Sequence, residues 1–359
     1  MSEAAVDHHV SLSALDAFCR AVLRACGAND DTSSAATRAM MHGTRLGVDS
    51  HGVRLLNHYV EALVGGRINR APKLRTVGGF GAAETLDADH AHGALATYTA
   101  MERAVVIAKQ LGVAAVAIRN SSHFGPAGAY ALAAAQQGLI GLAFCNSDSF
   151  VRLHGGASRF HGTNPIAVAV PVAGDNPWLL DMATSAIPFN RVMLYRSLEK
   201  TLPDAVASDG EGVDTVDPSN AEMLAPLGGE FGFKGAALGG LSEILSAVIT
   251  GMRLSFEIAP MLGPDFSTPR ELGAFVMALA PDAFGDRASF NDGMHRYLQA
   301  LRSSPARHGA HVMAPGDREW QTAAHREAYG VQLDPTTWNA FATLSERYGV
   351  PQPQPADTR

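Results

Sequence analysis

Short apolar segments alternate with helical segments through the middle of the chain, and this alternation restricts the possible folds more than any other feature. Five apolar runs have the length of buried strands: 113–118, 139–145, 166–172, 178–180 and 274–280. Helical spacing of apolar residues lies between or before these runs, at 95–110 and 127–137. Buried strands separated by helices are typical of an α/β layer. We therefore predict an α/β protein.

Both ends of the chain carry helical periodicity instead. Near the N-terminus, Gly27 ends a first predicted helix, Asn29 begins a second and Ser50 begins a third. The C-terminal half predicts four more helices, near 235–250, 286–303, 317–329 and 335–347. The segment 182–232, rich in proline and glycine, predicts mostly loop with a short helix at 191–197.

Charge and cysteine content exclude several classes of function. The chain has 28 Lys and Arg against 35 Asp and Glu, a net charge of −7 without a basic block, so we expect no nucleic-acid partner. Cys19, Cys26 and Cys145 have neither disulfide-framework nor zinc-site spacing, and we expect no bound metal. No apolar run approaches the roughly 20 residues of a membrane span. We expect a cytoplasmic protein that binds small molecules and no membrane.

The segment 49–54 combines anion-binding and acid-base groups. Ser50 is a plausible helix cap, and His51 in the first turn could meet a substrate carboxylate with its pKa within reach of neutrality. Arg54 follows on the same helical face, and a guanidinium is a bidentate partner for a carboxylate. The alternative is a capped helix with a solvated cationic face.

Two further acid-base candidates follow predicted strands, where α/β sheets commonly place their ligands. His123 comes shortly after the run 113–118, and Asp181 ends the run 178–180. A buried carboxylate needs a partner, and an Asp that binds one nitrogen of an imidazole orients the ring. The alternatives are a histidine that caps the next helix and an aspartate that caps a loop.

A glycine-rich segment at 226–235 precedes a predicted helix and contains Lys234. Backbone N–H groups and a lysine at a helix start can bind phosphate. The segment matches neither GxxxxGK[ST] nor GxGxxG, so the common nucleotide-binding fingerprints are absent. An unusual nucleotide cradle and a plain glycine-rich turn both remain open.

Taken in order, these segments resemble the type 2 malate/L-lactate dehydrogenase family, which includes ureidoglycolate dehydrogenases, 2,3-diketogulonate reductases and Δ1-piperideine-2-carboxylate reductases. The motifs that carry the resemblance cover nearly the whole chain: SHGVRLL at 50–56, GGRIN at 65–69, NSSHFGPAGAY at 120–130, GTNPIAVAVP at 162–171, DMATSA at 181–186, TVDP at 215–218 and PLGGEFGFKGAAL at 226–238.

The resemblance implies a fold and an assembly. It implies a non-Rossmann NAD(P)-binding domain with a mixed sheet, at 76–309. A helical domain formed from both chain ends, 1–75 and 310–359, would serve substrate binding and dimerisation. A homodimer would complete the active site.

The resemblance also implies roles for individual residues. His51 would donate the proton to the carbonyl or imine, Asp181 would orient the His51 ring, and His123 would be a second active-site imidazole. Residues at positions where the family contacts its cofactor are Ser147, Asp181, Met182, Ala183 and Lys234, with Gly316, Asp317 and Arg318 in a late loop.

Three departures from the family pattern bear on specificity. Arg54 lies one position before the arginine of SHGxxR, a shift of about 100° around a helix. Arg191 or Arg196 lies where family members discriminate cofactors and could pair with the 2′-phosphate of NADPH, or both could be surface cations. Asp148 could contact a substrate N–H, as in ureidoglycolate dehydrogenases, or be a turn residue.

We therefore predict hydride transfer between NAD(P)H and C2 of a 2-oxo acid or its 2-hydroxy acid, with a slight preference for NADPH. Ser50 and Arg54 would bind the substrate carboxylate. The first alternative is reduction of a cyclic imine such as Δ1-piperideine-2-carboxylate. The alternatives from other classes are a non-catalytic nucleotide-binding protein and a metal-dependent hydrolase.

Overall fold

The computed structural model describes residues 9–355. Its α-helices are α1 (Leu12–Ala25), α2 (Asp30–Arg45), α3 (Leu56–Gly65), α4 (Gly93–Leu111), α5 (Gly128–Ala135), α6 (Phe189–Ser197), α7 (Phe233–Glu243), α8 (Arg287–Arg302), α9 (Asp317–Tyr329) and α10 (Pro335–Tyr348). Its strands are β1 (His9–Val10), β2 (Arg75–Phe80), β3 (Ala83–Asp87), β4 (Val113–Ser121), β5 (Ile140–Cys145), β6 (Val151–Arg152), β7 (Arg159–His161), β8 (Ile166–Val170), β9 (Trp178–Met182), β10 (Ala207–Ser208), β11 (Met223–Leu224), β12 (Leu272–Leu279) and β13 (Val331–Gln332).

Seven strands form the central sheet, in the order β2-β3-β4-β12-β5-β8-β9. Strands β3 and β4 are parallel and joined by α4, whereas the other neighbours in this sheet are antiparallel. A smaller sheet has the order β10-β11-β6-β7. The prediction of an α/β fold with a mixed sheet is confirmed.

Alternate residues of the central strands face different layers, as the two-residue period of a strand requires. Val116 and Val276 belong to the core beneath α4 and α5, the latter helix being buried along its whole length. Ala117 and Phe275 face the other side and pack with Leu245 of the π-helical turn Ile244–Val248, which continues α7. The sheet is therefore covered on both faces.

The two chain ends pack together. Strand β1 pairs with β13, and the rings of Phe18 in α1 and Phe341 in α10 lie 4.8 Å apart between centroids. Residues of α1, α3 and α10 share one apolar core. The proposed boundaries at 75/76 and 309/310 stay predictions.

The helix predicted to begin at Ser50 begins instead at Leu56, after two 3₁₀ turns, Asp49–His51 and Val53–Leu55. Gly52 separates the turns in extended conformation, and a Cβ atom there would lie 2.5 Å from Oγ1 of Thr44. This close approach to α2 interrupts the helix. The prediction that Ser50 is the N-cap of an α-helix is wrong.

The ends of several strands meet at one edge of the sheet. The end of β4 lies beside the start of β12, because Ser121 pairs with Leu272, and Cys145 at the end of β5 pairs with Ala274. The end of β9 lies beside the start of β8. Loops that follow β4, β5 and β9 and loops that precede β8 and β12 therefore share this edge.

No helix within residues 9–355 is both long and apolar enough to cross a membrane.

Candidate active site

Three histidines meet at this edge of the sheet. The rings of His51 and His123 are stacked with 5.7 Å between centroids, and the ring of His58 is perpendicular to that of His123 at 6.5 Å. His51 ends the first 3₁₀ turn, His58 lies on α3 and His123 follows β4. The two histidines predicted as acid-base groups, His51 and His123, are thus brought together.

One nitrogen of each stacked ring is held by a hydroxyl group. Nδ1 of His51 lies 2.9 Å from Oγ of Ser50, and Nδ1 of His123 lies 3.0 Å from the hydroxyl oxygen of Tyr59. No group within residues 9–355 forms a hydrogen bond with Nε2 of either ring. These two Nε2 atoms are consequently available to a ligand. We name the group of His51, His58, Tyr59 and His123 the histidine cluster.

Burial keeps the histidine cluster neutral. Loss of solvation lowers the pKa of His51 to about 4, and it also lowers the pKa of His123 well below its usual value, helped by the neighbouring histidines. The expectation that the pKa of His51 stays near neutrality is wrong for the ligand-free protein. A neutral imidazole can accept a proton, and an adjacent anion favours its protonated form.

Asp181 is half-buried near the end of β9. Its Oδ2 atom accepts a hydrogen bond of 2.8 Å from the backbone N–H of Gly128, at the start of α5. Burial raises the pKa of Asp181 to about 6, and the charge of Glu319 also raises it. The predicted pairing with His51 is not present as a direct hydrogen bond, because His51 uses Ser50 instead.

Asp148 follows β5 but is already bound by the protein. One carboxylate oxygen accepts a hydrogen bond from Nη2 of Arg270, and the other accepts from the backbone N–H of Met261 at 3.0 Å. Both side chains of this ion pair are buried. The geometry therefore does not support the expectation that Asp148 contacts a substrate N–H.

The charge of Arg54 acts on a carboxylate outside the histidine cluster. The side chain of Arg54 is exposed, and its positive charge acts on Asp334 at the start of α10, where it helps to lower the pKa of that carboxyl group. The cations whose charges reach the histidine cluster are Arg67 and Arg270. The one-residue shift of Arg54 from the family motif thus accompanies a different environment for this side chain.

Tyr59 and Arg270 were missed as site residues. Tyr59 follows the apolar pattern of α3, so its spacing indicates core packing and nothing more. Arg270 lies before β12, whereas α/β sheets commonly place their ligands after the ends of strands. Because β12 is antiparallel to β4 and β5, its start lies at the same edge as their ends. A basic residue directly before an apolar run was the available signal.

Backbone hydrogen bonds join the loops predicted to bind the cofactor. Thr184 N–H donates to Thr163, and Leu227 N–H donates to Thr184, both at 2.9 Å. Ser147 accepts a hydrogen bond from Thr163 N–H through its hydroxyl oxygen at 3.2 Å. Ser147 and Ala183 therefore lie on connected loops that also hold the start of the glycine-rich segment, and Met182 ends β9 directly before one of them.

The glycine-rich segment suits an anionic ligand. Gly228 and Gly229 have φ values of 121° and 56°, which side chains rarely adopt. Lys234 is exposed, lies 5.2 Å from the ring centroid of Phe231 and has no carboxylate partner within residues 9–355. An uncommitted ammonium beside exposed backbone fits the pyrophosphate of a nicotinamide dinucleotide.

The late loop that contains Gly316 packs against β9, where Leu179 N–H donates to Pro315 at 3.2 Å. Asp317 forms an ion pair with Arg302 and accepts a hydrogen bond from Ala314 N–H. Its carboxylate is therefore engaged in holding the loop.

Two other groups of this loop stay closer to the sequence-based expectation. Gly316 has a φ of 98°. Arg318 is largely exposed and touches only Glu319 among its described ion-pair partners. These two residues remain the better candidates for contact with a nucleotide.

Arg191 and Arg196 differ in what their guanidinium groups contact. Arg196 donates to the carbonyl oxygen of Pro218 through Nε at 3.0 Å and also approaches Ser219. Arg191 is exposed on the same helix, α6, and no hydrogen bond or ion pair joins its side chain to residues 9–355. Of the two, Arg191 is the one free to bind a phosphate.

No group of three or more His, Cys, Asp or Glu side chains in the described part of the chain could hold a metal ion.

Comparison with known proteins identifies the family. The family model described as malate/L-lactate dehydrogenase matches residues 10–342. The chain belongs to this family.

A malate dehydrogenase of Pyrococcus horikoshii is 37% identical to this chain over 334 residues, and the match covers 89% of this chain and 90% of the relative. A (2R)-3-sulfolactate dehydrogenase (NADP+) of Chromohalobacter salexigens is 33% identical over 294 residues, which cover 81% of this chain and 85% of the relative. The solved structure of Δ1-piperideine-2-carboxylate reductase from Pseudomonas syringae has a TM-score of 0.82 and 27% identity, and the match covers 94% of this chain and 99% of that chain.

The malate/L-lactate dehydrogenase family consists of oxidoreductases that use nicotinamide cofactors, and its relatives act on small acids. This chain is therefore an oxidoreductase of the dehydrogenase type.

Proposed function

We propose that this family member catalyses reversible hydride transfer between NAD(P)H and C2 of a 2-oxo acid, with the 2-hydroxy acid as the other partner. A bound nicotinamide supplies or accepts the hydride at its C4 atom. The observation that carries the proposal is the pair of stacked, half-buried imidazoles, each with one nitrogen held and Nε2 available. The protein contributes proton transfer and orientation.

His51 is the proposed proton-transfer residue. In the direction of oxidation, its neutral Nε2 accepts the proton of the 2-hydroxy group. In the direction of reduction, a bound carboxylate favours the imidazolium form of His51. Its Nε2 then donates a proton to the carbonyl oxygen of C2, which becomes an alkoxide as the hydride is added. Ser50 holds Nδ1 throughout and thereby fixes the plane of the ring. His123, held by Tyr59, is the second imidazole and is stacked on the ring of His51.

The cofactor is proposed to bind along the loops between Ser147 and Lys234, within the domain 76–309. Ser147 and Ala183 lie on these connected loops, Met182 ends β9 beside them, and Lys234 supplies an ammonium that no described carboxylate neutralises. Asp181, with its raised pKa, is proposed to stand at the nicotinamide end, where it binds Gly128 N–H and can be protonated near neutral pH.

A homodimer is proposed to complete the site, and an exposed apolar surface supports it. Leu238, Leu241, Ile244, Val248 and Ile249 are all exposed along α7 and its π-helical continuation. We name these five residues the α7 stripe. Contiguous exposed apolar side chains of this kind mark interaction surfaces. Lys234 lies on the same helix, so a partner that covers the stripe would also border the proposed cofactor site.

Reduction of a cyclic imine is the second candidate function. The structural similarity to the Δ1-piperideine-2-carboxylate reductase, with a TM-score of 0.82, supports it. The same neutral histidine cluster could serve either reaction, because a C=N and a C=O group each need one proton and one hydride.

The test is loss of NADPH or NADH absorbance with pyruvate, oxaloacetate, 2-oxoglutarate and Δ1-piperideine-2-carboxylate, using wild type and His51→Asn. We expect turnover with an oxo acid and a fall of about 100-fold or more in kcat for His51→Asn. NADPH fluorescence should show unchanged cofactor binding. His311→Asn, in which an exposed histidine is replaced, serves as the matched control. Full turnover by His51→Asn would exclude the assigned proton transfer, and turnover with the imine alone would select the second candidate.

A further inference from the structure

Arg270 is a buried cation whose hydrogen-bonding capacity is only partly used. Its side chain is 1% exposed. Nε donates to the carbonyl oxygen of Ala259 at 2.9 Å, and Nη2 donates to Asp148. Nη1 is buried and has no hydrogen-bond partner. A charged N–H group that is removed from water without an acceptor is unfavourable, so an unpartnered Nη1 indicates a missing acceptor.

The charge of Arg270 reaches the histidine cluster. Burial is the main reason that the pKa values of His58 and His123 are lowered, and the positive charge of Arg270 lowers both further. Nδ1 of His58 is a second buried atom without a hydrogen-bond partner. Arg270 and His58 therefore each carry a buried polar atom without a partner, and His58 belongs to the histidine cluster.

The orientation of Arg270 is determined by the protein before any ligand binds. Asp148 holds Nη2 and is itself held by Met261 N–H. The guanidinium is planar, so fixing Nε and Nη2 also fixes the direction of the two N–H bonds of Nη1. Such a prearranged donor binds a planar anion without further ordering of the side chain.

Arg67 adds positive charge beside this donor. It donates through Nη1 to Met261 at 2.8 Å and lies 4.9 Å from the ring centroid of Phe266, whose ring also contacts His58. The buried groups here include two guanidiniums, Arg67 and Arg270, against one buried carboxylate, Asp148. The exposed carboxylate of Asp265 also acts on Arg67, so Arg270 is the guanidinium that has a buried N–H group still to be paired.

We propose that Nη1 of Arg270 donates to the carboxylate of the substrate beside the histidine cluster, taking the role that the family motif suggests for Arg54. Asp148 is then a positioning residue, which acts only through Arg270. The inference rests on the proposed function because it names the carboxylate partner of that same site. It predicts that any acid accepted by the enzyme carries an ionised carboxylate next to the reacting carbon.

The test measures binding of oxalate, a small unreactive carboxylate, by calorimetry to wild type, Arg270→Lys and the double variant Arg270→Gln/Asp148→Asn. The double variant avoids leaving a buried carboxylate unpaired. Thermal unfolding and NADPH fluorescence check that each variant is folded. Arg296→Lys, a change of an exposed arginine on α8, is the matched control.

We expect at least a tenfold weaker oxalate affinity for both Arg270 variants, with wild-type affinity for Arg296→Lys. In turnover, KM for the oxo acid should rise more than kcat falls, and KM for NADPH should not change. Folded Arg270 variants that bind oxalate like wild type would overturn the inference, as would wild type that does not bind oxalate. The inference would also be overturned if Arg54→Met raised KM for the oxo acid while the Arg270 variants left it unchanged.

The two proposals fail separately. NADPH oxidation by wild type together with Arg270-independent oxalate binding would retain the proposed function and reject the carboxylate site. Arg270-dependent oxalate binding without turnover of any acid or imine would retain the anion site and reject the proposed function.

Discussion

Arg191 on α6 is a cation without a described protein partner, whereas the nearby Arg196 is committed to backbone carbonyls. Resemblance to the family could not choose between them, since both occupy the same region of the sequence. The choice depends on which guanidinium is already bound, and only the folded chain contains that information. A free guanidinium near the cofactor loops is a partner for the 2′-phosphate that distinguishes NADPH from NADH.

Replacement of Arg191 by alanine tests this assignment. We expect Arg191→Ala to raise KM for NADPH about tenfold and to leave KM for NADH nearly unchanged, because a charged hydrogen bond contributes about 1.5–3 kcal/mol. Lys200→Ala removes another exposed cation just beyond α6 and is the control. Equal effects on both cofactors would refute a contact with the 2′-phosphate.

At the scale of elements, most helices and strands were predictable because their signals are local. Asn29 caps α2 through a hydrogen bond of 2.8 Å to Thr32 N–H, as its residue type suggests. The apolar run 274–280 corresponds to β12. The hairpin of β2 and β3 was missed because β2 is exposed along its whole length and lacks the apolar pattern of a buried strand.

The site was less predictable than the fold, because it depends on strand direction. His51 and His123 were expected as acid-base groups, and the structure brings their rings together. Arg270 was overlooked because nothing local reveals that β12 runs antiparallel between β4 and β5. The ion pair of Asp148 with Arg270 joins residues far apart in sequence, which a motif cannot encode.

The start of α5 depends on a glycine. A Cβ atom on Gly128 would lie 2.7 Å from Oδ2 of Asp181, the atom that accepts the Gly128 N–H bond. We expect Gly128→Ala to destabilise the protein by about 1–3 kcal/mol in urea unfolding, because the carboxylate or the helix must move. Loss of cofactor binding should accompany it if Asp181 stands at the nicotinamide.

Gly293→Ala is a control in which we expect stability to rise instead of fall. Gly293 lies within α8, and a Cβ atom there meets nothing within 4 Å. Gly293→Ala should therefore stabilise the protein by about 0.5–1 kcal/mol, the ordinary gain for alanine in a helix. Equal stability changes for the two variants would show that the contact with Asp181 is unimportant.

For the whole molecule, the α7 stripe is the surface on which the proposed dimer depends. We expect the double variant Leu241→Asp/Ile244→Asp to sediment as a monomer and wild type as a dimer, because two charges cannot be buried unpaired in an apolar interface. Val106→Asp, on the exposed side of α4, provides a control for added surface charge. A dimeric double variant would place the interface elsewhere.

Histidines that are buried or half-buried make the stability of the whole molecule dependent on pH. Burial lowers the pKa of His51 and His58 to about 4 and that of His42 and His92 to about 3. Their contribution to stability is complete above the unfolded value of about 6.5 and is lost as pH falls towards these folded values. Burial raises the pKa of Asp181 to about 6, so this carboxyl group makes the protein more stable as pH falls from about 6 to 4. Its contribution cancels that of about one histidine ring in this range.

We therefore expect the free energy of unfolding to fall as pH decreases from 6.5 to 4, with each ring contributing up to about 1.4 kcal/mol per pH unit. Urea unfolding at several pH values measures the slope. His42→Gln should reduce the slope by about the share of one ring. An unchanged slope in that variant would mean that His42 is not neutralised by burial in the folded state.

Because β12 lies in the middle of the central sheet but late in the sequence, the sheet cannot be completed until this strand has been synthesised. Strands β4 and β5 do not pair with each other, because β12 lies between them and pairs with both. During synthesis, β4 and β5 leave the ribosome long before residue 272 is made. Until then each of these two strands has one edge without a partner strand. The nascent chain thus contains two incomplete half-sheets that a single late segment must join. Chains truncated before β12 should be bound by chaperones or aggregate, while those that extend past it can close the sheet and assemble the site in one event.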